Sequence, residues 1–383
     1  FFFVVFEMAR FPPAAATAIV ALLLCASAHS LPIVRVSGTP YEVGRGVGTQ
    51  MRDTIQSYVA AWPIVQDKIL PFVATADGEK AFNAFRSASA AAYPDIAEEI
   101  RGLGDGSGLN DTVVWAVQLA TELQAMITGR GPSLALKACT DVHANYPGAK
   151  ALAHNEDARP QCKSAAYLVD ATVNSTINGV YRFLAFTYPA QIPGNAYAWL
   201  YDSQMAVTCN ALFPNITVRP GIGRNFITRD LLASRDIKDA VRRSTVDGRA
   251  YGFSVNLASV ASDTLYNLEM SPASYALTEV PPNSSSRHMN MYLHLNFPQH
   301  EDPSSEHRLA ASLKHPEPTS PAIALSILGD TSDPVYPIYR NATPPDADST
   351  ASTVLFDFNG GNVAVFTTNP ALTKPTYVFP MSG

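Results

Sequence analysis

The chain has 383 residues, 47% of them hydrophobic and 16% charged, a globular composition with material for a sizeable core. A net charge of −6 with scattered Lys and Arg excludes the basic face that a nucleic-acid partner requires. No charge run or heptad pattern marks a tail or coiled coil, and length permits two domains without a composition break to divide them.

Met8-Ala9-Arg10 supplies a positive n-region, residues 14–25 a short apolar stretch, and Ala26-Ser27-Ala28 a small-residue cleavage pattern. Residues 1–28 therefore read as upstream residues, 1–7, followed by a cleavable signal peptide. The alternative is an anchor, but about a dozen apolar residues fall short of the roughly 20 that a bilayer requires, so no stable membrane insertion is expected. The expected location is the secretory pathway, with an extracellular, vacuolar or lysosomal destination. Five glycosylation sequons, at Asn110, Asn174, Asn215, Asn283 and Asn341, fit an exported glycoprotein. Beyond the signal peptide three cysteines remain. In an oxidising compartment they read either as a Cys162–Cys209 pair with Cys139 left free, or as three buried thiols.

Thr39-Pro40-Tyr41-Glu42 reads as a capping box, with Pro40 in the first helical position. Gly44-Arg45-Gly46-Val47-Gly48 falls inside those first helical turns, with no strand ahead of it, and does not mark a dinucleotide site. Further helices are predicted over 54–73, 79–92, from Pro94 to Gly102, and over 112–125. The character changes at Cys139. Strands are predicted over 140–144, 151–154, 165–172, 180–188 and 196–208, with Asn178-Gly179 as a hairpin turn. Helices over 225–234 and 236–243 precede strands over 251–260, 264–270 and 289–297. A Pro-, Ser- and His-rich loop, 298–321, holds a short helix, and a hairpin over 353–358 and 363–367 closes the chain. This order suits an α+β fold of two sheets covered by helices on both outer faces.

Several stretches carry a more specific signal: residues 38–44, Tyr93-Pro94 with residues 98–102, Cys139-Thr140, Asn155-Glu156-Asp157, Cys209-Asn210-Ala211-Leu212, residues 268–272 and His294-Leu295-Asn296. Together they resemble the acyl-coenzyme A:6-aminopenicillanic acid acyltransferase family, peptidase family C45 of the N-terminal-nucleophile hydrolases. The resemblance implies a four-layer αββα sandwich. It also implies a precursor that cuts its own Ala138–Cys139 bond, leaving an α chain (29–138) and a β chain (139–383) of one domain. Cys139 then carries both a thiol nucleophile and an α-amino group, whose ordinary pKa of roughly 7.7–8.0 suits general-base work at neutral pH.

The resemblance assigns Asp157 to orienting or tuning the new N-terminus, and Asn296 to the oxyanion hole. Asn210, Arg229 and Arg308 become substrate-binding or supporting residues. Asp141 stands where the family's penicillin enzyme carries a second Thr, and a carboxylate there disfavours thiolate unless it is paired or turned away. Thr350-Ala351 replaces that enzyme's Ser-Arg, which argues against the penicillin-type reaction. His154, Glu156 and Asp157 do not make a metal site, because adjacent strand residues face opposite ways, and neither metal nor cofactor is expected.

The implied activity is a hydrolase that cleaves linear N-acyl amides through a thioester. The alternatives are an acyl-CoA-dependent N-acyltransferase and a secreted glycoprotein of this fold without activity. No papain-type Cys-Gly-Ser-Cys-Trp pattern is present.

Overall fold

The structure is a computed structural model that describes residues 31–129 and 138–382. The signal-peptide reading lies outside the described residues. Fourteen strands form among those residues: β1 (Ile33–Gly38), β2 (Ala138–Tyr146), β3 (Ala149–Ala158), β4 (Tyr167–Ser175), β5 (Gly179–Thr187), β6 (Tyr197–Leu200), β7 (Met205–Ala211), β8 (Phe253–Ser259), β9 (Leu265–Met270), β10 (Tyr275–Val280), β11 (Ser284–His288), β12 (Ser349–Asp357), β13 (Asn362–Phe366) and β14 (Tyr377–Pro380). They build two sheets in a mixed α+β architecture. One has the order β1-β4-β5-β6-β7-β8-β9-β10, the other β11-β2-β3-β12-β13-β14. The β1–β4 contact is parallel, whereas β2 and β3 form an antiparallel hairpin.

Three apolar clusters hold these elements. Val43, Phe85, Ile100 and Leu123 from the early helices pack on Val169, Phe183, Val207 and Leu257 of the eight-stranded sheet. Leu168, Phe186 and Trp199 of that sheet meet Leu152, Val354 and Phe356 of the six-stranded sheet. Ala311, from the helix Pro303–Ser312, and Ala324 and Ile327, from the helix Pro321–Leu328, cover Val142, Ala153 and Phe366. Among the described residues no helix is long and apolar enough to cross a membrane.

The Thr39–Glu42 capping box forms as expected and starts the helix Pro40–Gln50. A strand, β1, does precede this helix, contrary to the sequence reading, but the glycines serve packing. A Cβ on Gly44 would lie 1.9 Å from the Glu99 carbonyl oxygen, and one on Gly102 would lie 2.0 Å from that of Tyr41. Bare backbone on both sides lets the helices Pro40–Gln50 and Pro94–Ser107 cross in direct contact.

Three expectations need correction. The strand expected over 289–297 is a loop, and the strand lies earlier, at β11. The carboxylate of Glu269 accepts the backbone N–H groups of Leu293, His294 and Leu295 at 2.8, 3.0 and 2.7 Å, which curls the chain there and withdraws those donors from any ladder. The strand expected over 196–208 breaks at a turn over 201–204 into β6 and β7. Of the two cysteine readings, the Cys162–Cys209 pair is not formed, and Cys139, Cys162 and Cys209 are all buried. Cys162 Sγ lies 2.6 Å from Tyr58 Oη, while Cys209 belongs to the helix–sheet cluster and bonds the Gly194 carbonyl at 3.3 Å. The five sequon asparagines are all exposed.

Gly102→Ala should lower stability by about 1–3 kcal/mol, the typical range for overpacking, because its Cβ meets main chain. Gly46→Ala meets only a Val36 methyl and should be tolerated. Thermal unfolding of the two variants checks this, and an equal response would contradict the glycine contact.

Candidate active site

Register across the β2–β3 hairpin places Cys139 opposite Glu156 and Asp141 opposite His154. Paired residues share a sheet face, and residues two apart on a strand also do, so these four side chains converge on one side. All four are buried. His154 Nδ1 lies 3.0 Å from Asp141 Oδ1 and Nε2 lies 2.9 Å from Glu156 Oε2. Cys139 Sγ–H points to the same Glu156 oxygen at 3.7 Å. The facing sheet completes the chain: Thr208 Oγ1 and Asn210 Nδ2 donate to Asp141 at 2.5 and 2.6 Å, and the Tyr188 hydroxyl donates to Glu156 Oε1.

Burial opposes charge on His154, but Asp141 and Glu156 on either side outweigh it and hold the imidazole well above its usual range. Burial also opposes charge on Asp141, yet His154 and Thr208 keep that carboxyl below its ordinary value. Asp141 is thus paired and turned toward the imidazole, which answers the objection its position raised. Burial first, and the Glu156 charge second, push the Cys139 thiol up to about 11. In the uncut chain the thiol is accordingly held protonated at neutral pH.

The backbone of Cys139 is held separately. Its N–H donates to Asn290 Oδ1 at 2.7 Å, and its carbonyl accepts from Arg308 Nη1 at 2.5 Å. Arg308 also donates to Thr140 Oγ1 at 2.9 Å and to Asn290 Oδ1 at 2.9 Å. Two N–H donors on one atom fix that atom as the amide oxygen. Asn290 Nδ2 therefore points the other way, donating to the Ala211 carbonyl at 3.0 Å.

Of the residues the sequence singled out, the structure gathers Cys139, Ala138, Asn210 and Arg308. Asp157 pairs in register with Ala138 and lies on the opposite face from the thiol. There Thr350 Oγ1 donates to it at 2.7 Å, and Arg340 Nη1 stands 3.9 Å away. Burial pushes the Asp157 carboxyl up to about 6 despite Arg340 and Arg308. Arg229 is elsewhere: it is buried, paired with Glu99 at 2.8 Å and bonded to Tyr181 at 3.1 Å. Asn296 is exposed in the loop that Glu269 curls, whereas Asn290 is the asparagine that accepts the Cys139 N–H. Sequence reasoning chose the second of two His-x-Asn triplets, 288–290 and 294–296. The distinguishing signal was the Ser-rich strand β11, whose end carries the first triplet beside β2. Asp141, His154 and Glu156 were missed as a set because their union depends on register. Sγ of Cys139, a ring nitrogen of His154 and a carboxylate oxygen of Glu156 lie within 4.8 Å of one another, a donor set able to take a divalent cation. The Asp157 considered for such a set is excluded from it by strand alternation.

A cavity of about 400 Å³ adjoins this cluster. Tyr188 and Ala211 line it, and each touches a partner of Cys139, respectively Glu156 and Asn290.

A family model described as acyl-coenzyme A:6-aminopenicillanic acid acyl-transferase matches residues 144–372, more than half of the chain. The β-alanyl-dopamine/carcinine hydrolase of Drosophila melanogaster is 24% identical over 375 residues, which cover 92% of this chain and 97% of the relative.

If the Ala138–Cys139 bond is cut as the resemblance implies, Asn290→Ala should slow that cleavage by about 100-fold, in line with loss of an aligned amide at a reacting centre. Asn296→Ala should leave it unchanged. Intact mass over time reads both, and the reverse order would restore Asn296 to the site. Asp157 has a folded pKa near 6 against an ordinary 3.8, so the folded chain holds this proton after the unfolded chain has lost it. Its contribution to stability falls as pH rises from about 4 to 6 and is flat above, by at most about 3 kcal/mol. In a Cys139→Ala background, Asp157→Asn should remove that slope from the difference between denaturation midpoints. An unchanged pH profile would contradict the raised value.

Proposed function

The chain belongs to the acyl-coenzyme A:6-aminopenicillanic acid acyl-transferase family, and on that premise we propose that it is a self-processing N-terminal-cysteine amidohydrolase. Membership supports an enzyme acting on amide bonds, by hydrolysis or acyl transfer. The observation that carries the finer reading is the side-chain grip on Cys139. Its N–H is bonded to Asn290 Oδ1, so that nitrogen can become a free amine without breaking a backbone ladder.

In the uncut chain the Cys139 nitrogen is an amide and cannot act as base. Glu156, the acceptor nearest the thiol, takes the proton, and the His154 cation, held by Asp141, balances the new thiolate. The sulfur attacks the Ala138 carbonyl carbon, the Ala138–Cys139 C–N bond breaks, and the proton goes to the departing nitrogen. Water hydrolyses the Ala138 thioester. The products are an α chain ending at Ala138 and a β chain starting at Cys139, within a single helix–sheet–sheet–helix domain. The three apolar clusters support that layering.

In the mature enzyme the Cys139 α-amine takes the thiol proton and the sulfur attacks the amide carbonyl of the substrate. The amine product leaves with the proton, and water releases the acid. Asn290 Oδ1 holds the Cys139 nitrogen, and the second Nδ2–H of Asn290, beside the one given to the Ala211 carbonyl, remains for the oxyanion. Arg308 fixes the Cys139 main chain, and Asp157 tunes the new terminus from the opposite face. Asn210 acts through Asp141 rather than on substrate, and Arg229 supports the core.

The relative is a hydrolase by name, which supports hydrolysis over transfer. We also propose export and glycosylation, for which the exposure of all five sequon asparagines is the support. Acyl-CoA is scarce outside cells, which again favours water as acceptor.

Purified wild-type protein should contain a fragment beginning at Cys139, and Cys139→Ala should remain intact. Glu156→Gln should slow fragment formation by about 10²-fold or more, the usual contribution of a positioned base. Intact-mass analysis reads all three, and an uncut yet fully active wild type would overturn the reading. Assays of N-acyl amides against acyl-CoA donors then separate hydrolysis from transfer.

A further inference from the structure

The cavity beside Cys139 contains an unspent cation. Arg224 lines it, is 2% exposed, and has neither Nε nor Nη2 hydrogen-bonded. Leaving two nitrogens of a buried guanidinium without acceptors is unfavourable, so such a group in a pocket wall points to a missing anion. The neighbouring Glu122 does not fill that role. Its Oε1 accepts the Arg224 backbone N–H at 2.8 Å, its Oε2 has no partner, and burial pushes its carboxyl toward the neutral form.

The rest of the lining agrees. Among the described residues Arg159 is the second charged residue of the wall, and none of them that line the cavity is Asp, Glu, Lys or His. Tyr58, Trp62 and Phe213 provide an aromatic wall. Tyr188 and Ala211, also in the wall, lead to Glu156 and Asn290, and so to Cys139. An apolar chamber with a buried planar fork in its wall and a nucleophile behind two other lining residues suits a molecule with a carboxylate and an amide.

We propose that Arg224 is the carboxylate-binding residue of this pocket, and that the substrates are amides that also carry a free carboxylate. This rests on the amide-hydrolase reading above and narrows its substrate class. The carboxylate can belong to the acyl half, as in a dicarboxylic acid monoamide, or to the amine half, as in an N-acyl amino acid. The shared chemistry is the anion on Arg224.

Processed wild-type enzyme is assayed on two matched pairs, each comparing a carboxylate with its primary carboxamide, one pair for each half of the substrate. In one pair the carboxylate should be favoured by about 100-fold in kcat/KM, the range for a charge-assisted hydrogen-bonded pair. Arg224→Gln should bring that ratio to near one and Arg224→Lys should restore part of it, with the Cys139 fragment mass reporting that each variant has matured. Equal kcat/KM within both pairs, or an unchanged ratio in Arg224→Gln, overturns the proposal.

A second measurement needs neither chemistry nor an arginine variant. Cys139→Ala retains the uncut form, and an aromatic carboxylic acid should raise its Tm whereas the matching carboxamide should not. Equal shifts, or none, overturn the carboxylate site. Loss of amide hydrolysis with the acid-specific shift intact would refute the hydrolase reading alone.

Discussion

Cys139 is held by side chains where a sheet would ordinarily hold it by backbone. β11 runs beside β2 only as far as the pairing of His288 with Asp141, so the next stretch of β2 has no ladder partner on that side. Asn290 and Arg308 take over, one on the N–H and one on the carbonyl. Both depend on the helix Pro303–Ser312. Arg308 and Ser305 lie three residues apart on one helix face, and Ser305 Oγ accepts the Asn290 N–H at 3.1 Å. One helix therefore fixes both clasps. A main chain fixed in this way can be opened upstream while the sheet beneath keeps its pairing.

The polar chain between the sheets is a costly thing to bury. An ionised imidazole flanked by two carboxyls loses more hydration than pairing returns unless every remaining lone pair is matched. The facing sheet matches them. Asn256 Nδ2 donates to both Thr208 Oγ1 and Asn210 Oδ1 at 3.0 Å, Asn267 supports Asn256 at 2.8 Å, and Thr208 and Asn210 saturate Asp141. This ladder of amides runs across β7, β8 and β9 in the interior of the protein. Apolar residues of the same size would give a more stable interface, so its presence is better explained by the charge it fixes beside the sulfur.

What the sequence made legible was local. The Thr39 box, the proline that opens Pro94–Ser107, the Asn178-Gly179 turn and the final hairpin are decided within a few residues, and all are formed. The family resemblance led to Cys139, Asp157 and Arg308, of which the structure brings Cys139 and Arg308 into contact. What failed was decided at long range. Nothing near Asn296 shows that Glu269, many residues earlier, captures three of its neighbours' N–H groups and curls the chain. The union of Cys139 with Glu156 follows from hairpin register, and strand alternation foretold only that Glu156 and Asp157 must part. Arg229 sits beside Glu99 because two distant helices meet, a contact that spacing along the chain does not encode. Cys162 and Cys209 look like a pair only when counted.

That parting of Glu156 from Asp157 has a mechanistic meaning. The two consecutive carboxyls stand on opposite faces of β3, one across from Cys139 and the other across from Ala138, so they flank the proposed scissile bond from both sides. Before cleavage the inner carboxylate and burial together hold the thiol near 11, and no positive charge touches the sulfur except through His154. In the proposed reaction cleavage changes the sign of the balance. An amide nitrogen becomes an amine that is partly ammonium at neutral pH, on the same residue as a sulfur in a low-dielectric site. A cation there favours thiolate, against the Glu156 charge that opposes it. On the proposed reading, the surroundings that hold the thiol protonated in the uncut chain are thus offset by the hydrolysis of a single bond beside it.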